Sequence, residues 1–249
     1  MAGTITSAES AKEKYFFLLR RLHSLSGLVP VGVFLLWHLI VNATVLAGGD
    51  KFQFMVDQIH QLQKAGLLFV VEMAFIFLPL AFHAVYGVVI ALSADMNARE
   101  YRYGPNIRYT LQRWTGIIAF AFIMFHVWQM HWLGEPFGGS MFKPHDAPAS
   151  TAAAIQASWW FITFYIVGVT ASVYHLSNGI WTALITWGIT IGQRAQRISG
   201  YFCTAFGVAL LLVGMGALWG FTTYHAPAQP DQETAHTAAF VADPQHDSH

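Results

Sequence analysis

Five stretches of mostly apolar residues, each long enough to cross a bilayer, leave this chain one environment in which to fold. A spanning helix needs about 20 such residues, because the hydrocarbon layer is roughly 30 Å thick and a helix rises about 1.5 Å per residue. The stretches run over 22–46, 65–92, 111–133, 158–191 and 199–221. The fourth is longer than needed and predicts a helix that tilts or projects beyond the bilayer. Backbone polar groups cannot stay open in hydrocarbon. The expectation is therefore an all-α membrane protein, a bundle of five transmembrane helices in contact with lipid. Composition agrees: 55% of residues are hydrophobic and 10% charged, with mean hydropathy +0.45, whereas a soluble domain carries about a quarter charged residues. A formal net charge of zero carries no footprint of nucleic-acid binding. The single cysteine, Cys203, excludes an internal disulfide and a cysteine-ligated iron–sulfur cluster within this chain. The first dozen residues are polar and the apolar run behind them is long enough to span, so no cleavable signal peptide is expected.

Basic residues in the flanks orient the bundle. Lys12, Lys14, Arg20 and Arg21 precede the first span, Arg99, Arg102, Arg108 and Arg113 lie around the second loop, and Arg194 and Arg197 in the fourth. These are ten of the thirteen Lys and Arg; Lys51, Lys64 and Lys143 make up the opposite side. The N-terminus is thus expected in the cytoplasm and the C-terminus outside. Residues 1–21 read as a cytoplasmic segment, 22–223 as the membrane domain and 224–249 as a disordered external tail, rich in Ala, Pro, Gln, Asp and His with no apolar face to bury. Histidines of that tail (His225, His236, His246, His249) offer weak metal ligands, but solvation explains them as well.

Four apolar segments each carry one histidine: His38, His83, His126 and His175. An ionisable side chain at bilayer depth is costly and marks a functional site. Four, one per helix, is the number that clamps two haems by bis-histidine ligation. One such residue alone is as readily a buried, hydrogen-bonded histidine. Depth pairs the four. Measured from the outer end of each helix, His38 and His126 lie roughly 14–18 Å in, and His83 and His175 roughly 26–28 Å in. Two stacked layers follow, His38/His126 outside and His83/His175 inside. Small residues near the ligands leave room for a flat macrocycle: Gly27 and Asn42 flank His38, Gly87 follows His83, and Gly168 and Gly179 flank His175. Close helix–helix contact explains the same glycines. His131 competes with His126, but five residues turn a helix through about 140°. Both cannot face one haem, and His131, beside Trp132 at the interface, suits a solvated or propionate-contacting role.

The strings RRLHSLSGLVPVGVFLLWHL (20–39), FLPLAFHAVYGVVIA (77–91), QRWTGIIAFAFIMFHVWQ (112–129) and YHLSNGIWTALITWGITIGQRAQRISGY (174–201) carry a family resemblance over about 15–221. The chain resembles the five-helix, two-haem cytochrome b membrane-anchor subunit of succinate:quinone oxidoreductases, the succinate dehydrogenase and fumarate reductase family. Each string has its histidine where family members have a haem ligand. The resemblance implies two b haems and a quinone, with a flavoprotein and an iron–sulfur subunit docked on the cytoplasmic face of a bacterial inner membrane. It also implies that such complexes pair as dimers. The chain would then be a non-flavin subunit of the enzyme. Electrons would pass from the iron–sulfur partner through the inner and then the outer haem to quinone, or in reverse. Arg21, His23, Ser24 and Arg113 match a propionate-contacting region of the family, although positive-inside anchoring alone explains Arg21 and Arg113.

Quinone reduction consumes two protons and calls for a titratable group at an apolar cleft. Glu72 is the acidic residue within a span, eleven before His83 and about 20° from its face on a regular helix; Asp57 and His60 are the other candidates. A structural hydrogen bond between helices explains Glu72 equally. Fumarate reductases of the family with a second acidic residue near the helix-four histidine carry protons along it. Here Val173, Tyr174 and Leu176 surround His175, a departure that favours a succinate dehydrogenase of the menaquinone type. Two other readings stay open. One is a cytochrome b anchor of another dehydrogenase, such as hydrogenase or formate dehydrogenase. The other is a haem-free proton-coupled transporter, which would want a polar pathway and inverted repeats.

Overall fold

The computed structural model describes residues 7–93 and 104–226. Arg99, Arg102 and the tail from 227 onward lie outside the described residues. Helical structure runs from Ser7 to Ala47: α1 (Ser7–Ser26), a π turn (Gly27–Val31), α2 (Gly32–Ala43) and a 3₁₀ turn (Thr44–Ala47). Pro30 sits inside the π turn. It has no N–H to give, and its ring crowds the carbonyl one turn back. A wider turn relieves both problems. The same device recurs in the second span, where α4 (Leu68–Val71) passes through a π turn (Glu72–Phe77) into α5 (Leu78–Leu92), with Pro79 in its first turn. The two π turns lie against each other.

Among the described residues, four helical stretches are long and apolar enough to cross a membrane: Glu13–Ala47, Leu68–Leu92, Trp159–Thr186 and Gln193–Thr222. The expected fifth differs. Residues 111–133 fall in α6 (Gly104–Met130), whose 27 residues have ample length. Gln112, Arg113, His126 and Gln129 lower its hydropathy below that of the other four. The helix of the fourth apolar stretch is also shorter than expected. It is α8 (Trp159–Thr186) and does not reach residue 191. Gly188, at φ 74°, turns the chain left-handed, and Gly188 and Ile189 donate back to Ile185 and Leu184 at 3.0 and 2.9 Å. This double bond closes the helix end. The last helix is α9 (Gln193–Thr222).

Two helices of the loops had no counterpart in the sequence reading. They are α3 (Gly49–Lys64) and α7 (Ala147–Gln156), and both cover the same end of the bundle. Phe52 and Val56 of α3 and Ala152 and Ile155 of α7 join Val41, Val45 and Phe221 in one core cluster. Phe52 meets Phe221 edge to face at 5.1 Å. Gln53 ties the two helices together, donating to the Pro144 carbonyl (2.7 Å) and accepting from the Ala147 N–H (2.8 Å). At the other end of α7, Gln156 donates to the Phe221 and Tyr224 carbonyls at 2.7 and 3.1 Å. The Phe221 carbonyl lies in the last turn of α9 and would otherwise lack a partner.

In the spans, α8 packs between α6 and α9, and α9 also packs on α2. Leu39, Val173, Leu176 and Leu210 form the core between α2, α8 and α9. The α5 helix lies mainly on α1 and the first π turn and has no fully buried residue. Large apolar side chains face outward, Leu78 at 67% exposure and Leu212 at 68%. Such a surface suits lipid and would be unstable in water.

Candidate functional site

The four histidines come from α2, α5, α6 and α8 and meet in two pairs across helices. The rings of His38 and His126 have centroids 5.6 Å apart, and those of His83 and His175 are 6.0 Å apart. The pairs occupy different levels. His175 is bonded to the backbone of Gln112, fourteen residues before His126 on α6, which is roughly 21 Å along the helix.

Three of the four rings are anchored through Nδ1. His83 Nδ1 donates to the His23 carbonyl at 2.9 Å, and His175 Nδ1 to the Gln112 carbonyl at 3.0 Å. Gln112 returns the bond, its amide donating to the His175 carbonyl at 3.0 Å. On α6, His126 Nδ1 donates to the Tyr165 hydroxyl at 3.1 Å. Tyr165 donates to Gln129 Oε1 at 2.8 Å, and the Gln129 amide donates to the Ala154 carbonyl of α7 at 2.9 Å. Nδ1 thereby carries the proton in each of these rings, and Nε2 keeps its lone pair. His38 differs: its Nε2 is 3.4 Å from the Asn42 amide, which bonds chiefly to the His38 carbonyl at 2.8 Å.

Glycines set the clearances. A Cβ on Gly27 would run into the His83 ring, and one on Gly116 would meet His175 Cε1 at 2.9 Å. Gly27 therefore serves His83, not His38 as its spacing suggested. Gly168 lies against Phe122 and Gly179 near the Gln112 amide, contacts of ordinary helix packing. Gly87 faces His23 Nε2.

The remaining candidates divide. His23 stacks on His83, centroids 4.1 Å apart and planes 8° from parallel. Arg21 lies over the Trp187 ring at 4.8 Å, and Ser24 accepts from the Trp187 indole at 3.4 Å. Both therefore gather at the end of α8, while Arg113 stacks on Tyr109 at 4.8 Å. Asp57 and His60 make their hydrogen bonds within α3, Asp57 with Gln53 and His60 with the Val56 carbonyl. Glu72 does not share the face of His83, because the π turn between them removes about one residue's rotation, roughly 100°. It meets His131 instead, Oε1 to Nε2 at 3.5 Å. His131 Nδ1 accepts from the Leu133 N–H at 3.3 Å, so the neutral ring carries its proton on Nε2, toward Glu72.

A haem fits the donor set. Among the described residues no three His, Cys, Asp or Glu converge as a metal cage, but a porphyrin brings four nitrogens and asks the protein for two. Metal–imidazole bonds of roughly 2 Å, with half a ring at each end, place two axial imidazoles roughly 6 Å apart between centroids. Both pairs match. Gln112, Gly116, Gln129 and Tyr165 drew no notice in the sequence, where a Gln or Tyr in an apolar run was the available signal. No family model matches the chain. The succinate dehydrogenase cytochrome b558 subunit of Bacillus subtilis (strain 168) is 41% identical to it over 212 residues, spanning 85% of this chain and 99% of that protein.

Proposed function

The chain belongs to the succinate dehydrogenase cytochrome b subunits, and from that membership we propose that it carries electrons between an iron–sulfur partner and membrane quinone through two bis-histidine haems. As such a subunit it anchors an enzyme complex in a membrane. The observation that supports two haems is the pairing of four histidines at two levels, with Nε2 left free on three anchored rings. Each haem, when bound, supplies a one-electron carrier where the apolar helices offer none.

The protein's own part is holding and orienting. The carbonyls of His23 and Gln112 fix the ring planes of His83 and His175. Nδ1–H donation to a carbonyl also fixes the tautomer that leaves Nε2 free to ligate. His126 is held through Tyr165 and Gln129 to α7, so the helix over the loop end stiffens that ligand. Arg21, His23, Ser24 and Arg113 stand at the opposite end, where a propionate would find donors. That end carries the excess of Arg and is assigned to the cytoplasm and to the flavoprotein and iron–sulfur partners. The Glu72–His131 pair belongs to the His126 end. It is the proton-handling group of the quinone site, neither residue fully buried.

Two results follow. Tyr165→Phe deprives His126 Nδ1 of its acceptor and should weaken retention of the His38/His126 haem by about 10–100-fold, leaving the other haem untouched. Haem transfer to an apo-globin acceptor measures this, and equal loss of both haems would remove Tyr165 from the role. Glu72→Gln keeps both haems and should slow quinone turnover by on the order of 10²-fold. Unchanged rates at saturating quinone would take Glu72 out of the mechanism. For the function itself, the decisive reading is a reduced-minus-oxidised spectrum of the assembled complex. Two b haems per chain, reducible by succinate, are expected; a well-folded complex without haem would overturn the proposal.

A further inference from the structure

Away from the histidine pairs, a cavity of about 180 Å³ opens between α8 and α9. Its walls are Thr170, Tyr174 and Asn178 on one helix and Thr204, Val208 and Leu211 on the other. From Thr170 to Asn178 it follows eight residues of helix, roughly 12 Å, so it is a slot along the span. Its floor is deepened by Gly207, where a Cβ would run into Ser177 at 2.7 Å. Val208, on its rim, is 53% exposed, which opens the slot sideways to the bilayer.

Arg108 stands at the polar end of this slot. Its guanidinium lies over the Trp181 ring at 4.5 Å and donates to the Thr204 hydroxyl at 3.4 Å. Its carbonyl accepts from the Asn178 amide. The cation is therefore held in place by Trp181 and Thr204, and among the described residues the slot's lining contains no acidic side chain. A guanidinium held at the mouth of an apolar slot offers an anionic group a partner. Its planar donors match a phosphate better than a neutral carbonyl.

We propose that this slot binds an anionic phospholipid, its phosphate on Arg108 and one acyl chain laid between α8 and α9. Charge at the polar end and an apolar channel leading inward are the two halves of such a lipid, in the right order. The slot touches the electron-transfer site through Asn178, whose amide donates to Gln112 Oε1 at 2.8 Å; the Arg108 guanidinium and Val208 stand outside it.

The test uses the complete complex, stripped of loose lipid and equilibrated with vesicles of equal phosphatidylglycerol and phosphatidylcholine, followed by mass-spectrometric analysis of the retained lipid. The wild-type complex should retain phosphatidylglycerol over phosphatidylcholine by about five-fold, the factor one cation contributes toward anionic lipid. Arg108→Gln should bring that ratio to one, and Arg108→Lys should restore most of it. Val208→Trp fills the slot without touching the cation and should lose the bound lipid altogether. Haem content reports folding in every variant. Equal retention of both lipids by the wild type, an unchanged ratio in Arg108→Gln, or quinone recovered in place of phospholipid would each overturn the proposal.

Discussion

Replacing His83 or His175 with alanine should take one b haem out of the complex and leave the other in place; His38→Ala and His126→Ala should each remove the counterpart. The pattern follows from which rings face each other: 6.0 Å for the first pair and 5.6 Å for the second. If each pair holds one haem, losing either histidine removes one of its two protein ligands. His23 is the nearest other ring, stacked on His83, and its Nε2 lies against Gly87. His175 lies against Gly116, ten residues before His126 on α6, so the two levels are roughly 15 Å apart, beyond the separation at which substitutions interact. Loss at one level should therefore leave the spectrum of the other unchanged. Haem per polypeptide and the reduced-minus-oxidised spectrum of the complex report it directly. Losses in a crossed pattern, His38 with His83 for example, would mean that the pairing is wrong.

The second large effect needs no change of ligand. Gly27→Val should abolish the His83/His175 haem as completely as His83→Ala. A side chain at residue 27 occupies the space of the His83 ring. The ring cannot swing aside, because its Nδ1 is bonded to the carbonyl of His23, one turn earlier on the same strand of helix. The backbone cannot yield either, since Gly27 begins the π turn around Pro30. Overpacking of this kind costs about 1–3 kcal/mol in an ordinary core, and here the strain falls on one ligand. Gly179→Ala is the control, its Cβ meeting the Gln112 amide at an easy 3.4 Å. Retention of the His38/His126 haem shows that the variant folds. Two full haems in Gly27→Val would show that His83 has room the structure denies it.

Four spans and the four histidines were legible because they depend on local composition: an apolar run declares itself, and a histidine inside one stands out. The anchors of those histidines were not. Gln112 meets His175 from 63 residues away and Tyr165 meets His126 from 39, and neither distance leaves a mark on the sequence. In α3 a signal was present: Phe52, Val56 and Ile59 recur at helical spacing over charged neighbours, and the loop reading passed over it. The α7 helix offered less, since its Ala, Ser and Thr residues have no apolar stripe. The end of α8 was hidden by Ile189 and Ile191, which prolong the apolar run past the left-handed Gly188. The face shared by Glu72 and His83 rested on a regular helix, and the π turn between them voided it.

Those π turns also bear on how chains of this kind can drift. A π turn is the footprint of one extra residue in a helix. Deleting a residue from Gly27–Val31 would let α1 and α2 close into a single regular helix and turn everything past it by about 100°. His38 would leave its partner while His23 stayed. A deletion in Glu72–Phe77 would likewise part Glu72 from His131 or His83 from His175. Most loops of a membrane protein tolerate gaps; these two short segments, deep inside spans, set the reading frame of the histidines and should admit none.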